Sequence, residues 1–140
     1  MNEHLEPEKG VRFFEELRIF QAARKLCNDI WRMTRTGPAC KDFAFTNQVR
    51  RSALSILSNI AEGFERNSRR EFGQFLSIAK GSCGEVRAQL LVALDQEYIT
   101  EPQHKKIQNA CIELSSGIAK LMIYLRQHPT SMRRSSGPRA

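Results

Sequence analysis

Apolar residues recur along this chain in steps of three and four, and polar residues fill the positions between them. This spacing indicates helices that each bury one face, and no segment alternates with the period of two that a strand shows. The third segment is the clearest, with a seam formed by Phe72, Leu76, Ala79, Cys83, Val86, Leu90 and Ala93. The pattern predicts an all-α protein.

Three other segments repeat the pattern. Their seams are Ile19, Ala23, Leu26, Ile30 and Met33; Val49, Ala53, Ile56 and Ile60; and Ile107, Cys111, Leu114, Ile118, Leu121 and Leu125. Stop signals at Gly37-Pro38 and Gly63, and capping sequences that begin at Ser68 and Thr100, separate them. We expect helices over about residues 14–35, 45–63, 69–98 and 101–127, in an antiparallel, up-down-up-down four-helix bundle.

With 140 residues, the chain has the size of one domain. We expect the bundle to occupy residues 13–128, between a flexible N-terminal end at 1–12 and a disordered basic tail at 129–140. No apolar run approaches the roughly 20 residues that span a bilayer, and the N-terminus lacks the apolar stretch of a signal peptide. We therefore expect a cytoplasmic protein with no membrane partner.

The formal net charge of +7 is unevenly distributed. Four arginines (126, 133, 134 and 139) and no acid fall in residues 126–140. The remaining residues hold 18 basic and 15 acidic side chains, a net charge of +3. Any interaction with nucleic acid must therefore depend on how the charges are arranged.

Basic residues gather around the second and third helices, where they form a candidate phosphate-binding row. They are Arg50, Arg51, Arg66, Arg69, Arg70, Lys80 and Arg87. Interspersed glutamates favour an ordinary solvated face in a monomer, whereas a ring of subunits would multiply the row. Because aromatic stacking platforms are not evident, binding would be to the backbone rather than sequence-specific.

Small residues share one face of the third helix, about 140° from the apolar seam by helix geometry. They are Gly73, Ser77, Gly81, Gly84 and Ala88. Each helical glycine costs about 1 kcal/mol against alanine, so we interpret this face as a subunit interface. The alternative is a solvated face that tolerates glycine.

The second helix carries a companion stripe of Ser52, Ser55, Asn59 and Glu62. This stripe could line a helix contact or a polar site. Ordinary boundary packing with hydrogen bonds from side chains to the backbone is an equal alternative.

Residues for catalysis or metal binding are not assembled in the sequence. Glu101 and His104 resemble half of a di-iron motif, but they lie at a helix start, where we interpret them as capping residues. Cys27, Cys83 and Cys111 fall on apolar seams, where free cysteines behave as small hydrophobes. The three histidines lie in or beside terminal stretches, so none is placed as an interior base. We expect no metal, no cofactor and no enzymatic activity.

Several segments resemble a known family. Residues 16–26, the stretch from Gln48 through Asn59-Ile-Ala-Glu-Gly63, and residues 71–82 are similar to bacterial four-helix-bundle proteins encoded in intervening sequences of 23S rRNA genes. The resemblance covers about residues 13–125. Leu57 stands where the family often has proline, and the acidic-aromatic pair before the second helix is Asp42-Phe43.

The resemblance implies a ring-shaped homopentamer without catalytic activity. It also implies a relation to the accessory protein of diversity-generating retroelements, a basic pentamer that binds a reverse transcriptase and nucleic acid. Our leading hypothesis is a homo-oligomer that binds RNA or DNA through its arginines. The alternative is a protein-interaction scaffold that does not bind nucleic acid.

Overall fold

The computed structural model describes residues 10–129, which form four long helices. The helices are α1 (Arg18–Arg35), α2 (Phe43–Glu65), α3 (Arg69–Asp95) and α4 (Glu101–Gln127). Short 3₁₀ turns precede the first two, at Phe14–Glu16 and Pro38–Lys41. No strand occurs among residues 10–129, so the predicted all-α, four-helix fold is confirmed.

The helices meet in antiparallel order. Each helix contacts the next along the chain, and α1 also contacts α4. Residue pairs that join neighbouring helices are Thr34 with Arg50, Ser52 with Glu85, Ser55 with Ser82, and Arg69 with His128. In each of these pairs a later part of one helix meets an earlier part of the other, as antiparallel neighbours do.

Several helix ends differ from the predicted ones. Helix α2 begins two residues before the predicted start, because the Asp42 carboxylate accepts a hydrogen bond from Phe45 N at 3.1 Å and caps the helix. Helix α1 begins at Arg18 instead of residue 14, since Leu17 is extended and separates it from the 3₁₀ turn. Helix α3 ends at Asp95 instead of residue 98, and Glu97 beyond it has a left-handed φ of 59°.

The predicted seams form the core. Every seam residue of α2, α3 and α4 is buried, whereas Ile19 and Met33 of α1 are half-buried at its edge. The seven seam residues of α3 are fully inaccessible to solvent. Residues 1–9 of the predicted flexible end and 130–140 of the predicted tail lie outside the described residues, while Val11 packs against the core.

Gly63 allows α2 and α3 to approach closely. A Cβ at this position would lie 2.6 Å from Phe75 Cβ and 3.1 Å from Phe72 Cδ1, so glycine is required by contact with the facing helix. The prediction that Gly63 stops α2 is wrong, because the helix continues to Glu65. The glycine is a packing residue inside the last turn.

Candidate functional site

The outer face of α3 consists of the predicted small residues. We call Gly73, Ser77, Gly81, Gly84 and Ala88 the small-residue face; all are exposed except Gly73, which is half-buried. A Cβ added at any of its three glycines would meet no heavy atom within 4 Å. Packing inside the described subunit therefore does not require glycine at these positions.

Large apolar side chains are exposed beside this face. Leu91 follows Gly73 by 18 residues, five full helical turns, so it lies in line with the face and is 50% exposed. Ile78 and Val92 are also exposed on α3, and Ile112 and Ile123 are exposed on α4, which packs beside it. Small residues flanked by large apolar ones are a surface on which another helix could pack closely.

Two of the predicted phosphate-binding arginines contribute to the fold instead. The Arg50 Nε donates to Thr34 Oγ1 at 2.8 Å, and its guanidinium carbon lies 5.0 Å from the centroid of the Trp31 ring. Arg66 pairs with Glu62 at 3.0 Å and lies over the Phe75 ring. Arg50 therefore fastens α2 to α1, and Arg66 covers the α2–α3 turn.

Arg69 is also held in place, but no acid neutralises it. Its Nη1 donates to the carbonyl oxygen of His128 at 2.8 Å, and its guanidinium carbon lies 5.6 Å from the Tyr124 ring centroid. Its Nε is buried and has no acceptor among the described residues. The contacts fix Arg69 where the start of α3 meets the end of α4.

The other four predicted basic residues are exposed. Arg51, Arg70, Lys80 and Arg87 form no hydrogen bond or ion pair within residues 10–129. Lys80 and Arg87 face the α4 side of α3, since each is close enough to a cysteine of the α3–α4 core, Cys83 and Cys111 respectively, to lower its pKa slightly. These four side chains are available to an external anion.

A groove of about 480 Å³ separates the start of α3 from the end of α4. Its walls include Arg69, Arg70, Gly73, Ser77, Met122 and Arg126. The sequence analysis counted Arg126 with the basic tail, whereas the structure places it in the last turn of α4, opposite Arg70. We call this space the arginine groove.

A larger cleft of about 980 Å³ lies at the opposite end of the bundle. It is bordered by the end of α1 and by the turn between α3 and α4. Its charged residues have both signs, with Asp29, Glu97 and Glu101 facing Arg32 and Lys106. The mixed charges give it no preference for anions.

The companion stripe on α2 packs against α3. Ser82 Oγ donates to Ser55 Oγ at 2.9 Å, and Asn59 Nδ2 donates to the Ser55 carbonyl at 2.7 Å. Ser52 Oγ lies 3.0 Å from the Gln48 carbonyl and 3.3 Å from a Glu85 carboxylate oxygen. These hydrogen bonds support the boundary-packing interpretation of the stripe.

The seam cysteines are enclosed by apolar side chains. Burial raises the pKa of Cys27 and Cys83 to about 11 and that of Cys111 to about 12, so their thiols are neutral at neutral pH. Within residues 10–129, no group of three His, Cys, Asp or Glu side chains is arranged to hold a metal. His104 differs from the prediction of a peripheral site, since it is only 8% exposed in the first turn of α4.

Polar contacts also hold the bundle end. The Tyr98 hydroxyl donates to Asp42 Oδ2 at 2.5 Å. This hydrogen bond lowers the pKa of the Asp42 carboxyl, and the bond to Phe45 N lowers it further. The same bond raises the pKa of Tyr98, and together these contacts tie the α3–α4 turn to the start of α2.

The model of the 23S rRNA-intervening sequence protein family matches residues 15–120. This chain belongs to that family. A crystal structure of a protein of unknown function from the S23 ribosomal protein family of Bacteroides thetaiotaomicron is similar, with a TM-score of 0.68 and 25% identity, over 74% of this chain and 97% of that one. No curated protein matches the chain.

The family match confirms the resemblance found in the sequence, while the relation to retroelement accessory proteins stays a prediction. The matched segment contains the whole small-residue face and all seven predicted basic residues. It ends before Arg126, so the groove arginine of α4 belongs to this chain's own C-terminal portion. Among the described helices, none is long and apolar enough to cross a membrane.

Proposed function

We propose that this member of the 23S rRNA-intervening sequence protein family is a non-catalytic homopentamer that binds the backbone of RNA or DNA. The observation that carries the proposal is the small-residue face, where three glycines stand on an exposed helix without any steric need inside the subunit. Each glycine costs the isolated helix about 1 kcal/mol against alanine. Close approach of a second subunit gives these residues a physical reason.

The surroundings of the face support an interface. Leu91 and Ile78 are half-exposed on α3, and Ile112 and Ile123 are exposed on α4. Burial of apolar surface stabilises association by roughly 25 cal/mol per Å², before the entropic cost of association is subtracted. The pentameric number itself rests on the family resemblance.

Nucleic-acid binding is supported by the four exposed cations Arg51, Arg70, Lys80 and Arg87, which have no partner among the described residues. In a pentamer, five chains of charge +7 would carry +35. Such a charge density favours polyanions and makes binding depend strongly on salt.

A cytoplasmic location agrees with the thiols. All four cysteines are free, and three of them are buried where oxidation would require the core to open. Free thiols of this kind suit a reducing compartment.

Sedimentation velocity with a fluorescent single-stranded RNA tests both parts of the proposal in one experiment. We expect protein alone to sediment as a species of about 80 kDa, five times the 16.0 kDa chain. RNA should co-sediment with it at low salt and dissociate as salt rises. A 16 kDa species would refute the oligomer, and RNA that stays free at low salt would refute binding.

A protein-interaction scaffold is the second candidate. Phe43 is 74% exposed at the start of α2, and Phe13 is 57% exposed before α1, both outside the small-residue face. Exposed aromatic residues are typical of protein contacts. An oligomer that forms but fails to bind nucleic acid at low salt would favour this candidate.

A further inference from the structure

The arginine groove has positive walls and no acidic lining residue. Arg69 and Arg70 come from the start of α3, and Arg126 comes from the last turn of α4. The only acid in the first four turns of α3 is Glu71, whose helical position turns it towards α2, and α4 has no acid from residue 115 onwards. The charge of the groove is therefore not neutralised locally.

Helix dipoles do not create this potential. The positive end of α3 adjoins the negative end of α4, so their effects oppose each other. The three guanidinium groups set the sign of the local field. Because guanidinium matches phosphate oxygens in geometry and in charge, the lining favours a phosphate over other anions.

Arg69 is held ready for an anion. It lies over Tyr124, which in turn stacks on His128 with 4.3 Å between the ring centroids. Its printed acceptor is a neutral carbonyl oxygen, and its buried Nε has no acceptor. A half-buried cation without a counter-charge is costly, and an anion in the groove would offset that cost.

Arg70 and Arg126 supply mobile charge on both walls. Both are exposed and have no hydrogen bond or ion pair within the described residues. Met122, Leu125 and Pro129 lie between the arginines. The groove thus offers cations for a phosphate beside apolar surface against which a sugar can pack.

Positive charge continues from the groove along α3. Lys80 lies seven residues beyond Gly73, and Arg87 lies seven beyond Lys80, on the side of α3 that faces α4. Each step corresponds to about 10 Å along the helix. A free phosphate would not use this row, whereas a polymer with repeated phosphates would.

We infer that the arginine groove, formed by Arg69, Arg70 and Arg126, binds a phosphodiester of a nucleic-acid backbone that runs on towards Lys80 and Arg87. The inference rests on the proposed function and deepens it. It adds Arg126 to the binding residues and removes Arg50 and Arg66, whose side chains serve the fold. RNA and DNA share the recognised chemistry.

The test compares full-length variants by fluorescence anisotropy. R70Q/R126Q removes two exposed charges without breaking a described contact, and R24Q on α1 with K120Q on α4 is the matched control, since both control residues are exposed outside the groove. We expect the double variant to weaken binding of a 12-nucleotide RNA about tenfold or more, and the slope of log K against log salt to shrink by about 1.4, for two contacts at about 0.7 each. The control pair should change affinity less than threefold.

Three further arms separate the sources of binding. A single-stranded DNA of the same sequence should respond to R70Q/R126Q as RNA does, whereas inorganic phosphate should compete only at millimolar concentration. In R133Q/R134Q/R139Q, which removes the distal arginines, adding R70Q/R126Q should still weaken binding by a similar factor. If neutralising the distal arginines alone abolishes binding, the groove is not the site.

Photocross-linking locates the contact. RNA that contains 4-thiouridine should cross-link to the wild-type tryptic peptides 71–80 and 121–126, which lie on the two walls of the groove. Cross-links confined to other peptides, or unchanged affinity in R70Q/R126Q while wild type binds, would overturn the groove and leave the proposed function standing. Absence of binding by wild type at low salt would overturn both.

Discussion

The inner and outer sides of α3 use glycine and arginine in opposite ways. On the inner side, Gly63 of α2 leaves no space for a methyl group against Phe75. On the outer side, Gly81 and Gly84 have open space around them. The same residue type is thus required by a contact in one case and unexplained by any contact of the subunit in the other.

The arginines repeat this contrast one residue apart. Arg50 is half-buried and bonded to Thr34, whereas its neighbour Arg51 is exposed and has no partner in the described part of the chain. Inner residues are explained by one subunit, and outer residues need something outside it. The predictions below test this distinction.

The largest effect should come from the inner seam. Phe72→Ala removes a ring with no solvent exposure, which packs edge-on against Phe64, and should lower the free energy of unfolding by about 3–5 kcal/mol. Urea denaturation at fixed protein concentration measures it. The exposed Gln74→Ala should change stability by less than about 0.5 kcal/mol, and equal losses in both would contradict the assignment of the two sides.

Gly63→Ala should also destabilise the fold. Alanine is the better helix former by about 1 kcal/mol, but its Cβ would lie 2.6 Å from Phe75 Cβ, which is close to the backbone and cannot swing away. We expect a net loss of about 1–3 kcal/mol, measured by the urea midpoint. An unchanged or higher midpoint would mean that α2 and α3 are not in such close contact.

Arg50→Gln should cost about 1–2 kcal/mol, because it removes both the hydrogen bond to Thr34 and the contact with the Trp31 ring. The matched variant is Arg51→Gln, which should leave the thermal midpoint within about 1 °C and instead weaken RNA binding. If both variants lower the midpoint alike, the two arginines do not differ in role.

Gly84→Ala gives the smallest change but a decisive sign. On a solvated helix face, alanine should raise the thermal midpoint through its helix propensity of about 1 kcal/mol. At a close subunit contact, the added methyl group should weaken association and lower the midpoint, the more so at low protein concentration. We expect the second result from calorimetry over a dilution series, with the exposed Ser58→Ala on α2 as control.

The sequence was sufficient for the seams, since burial on one face imposes a helical period that can be read directly. It was not sufficient for Gly63, which serves as a stop signal in many helices but here meets Phe75 from another helix. Nor could it separate Arg50 from Arg51, because the distinction depends on Trp31 and Thr34 across space. Arg126 was missed for the same reason, since only folding brings the end of α4 beside Arg70.

The central claim, that the outer face of α3 is covered by another copy of the chain, is tested most directly by light scattering. At micromolar concentration the wild type should have a mass of about 80 kDa, five chains of 16.0 kDa, and Gly81→Gln/Gly84→Gln should dissociate while keeping its helical circular dichroism. The exposed Ser58→Gln should retain the wild-type mass. A wild-type mass of 16 kDa, or a glutamine variant that assembles as wild type does, would contradict the account.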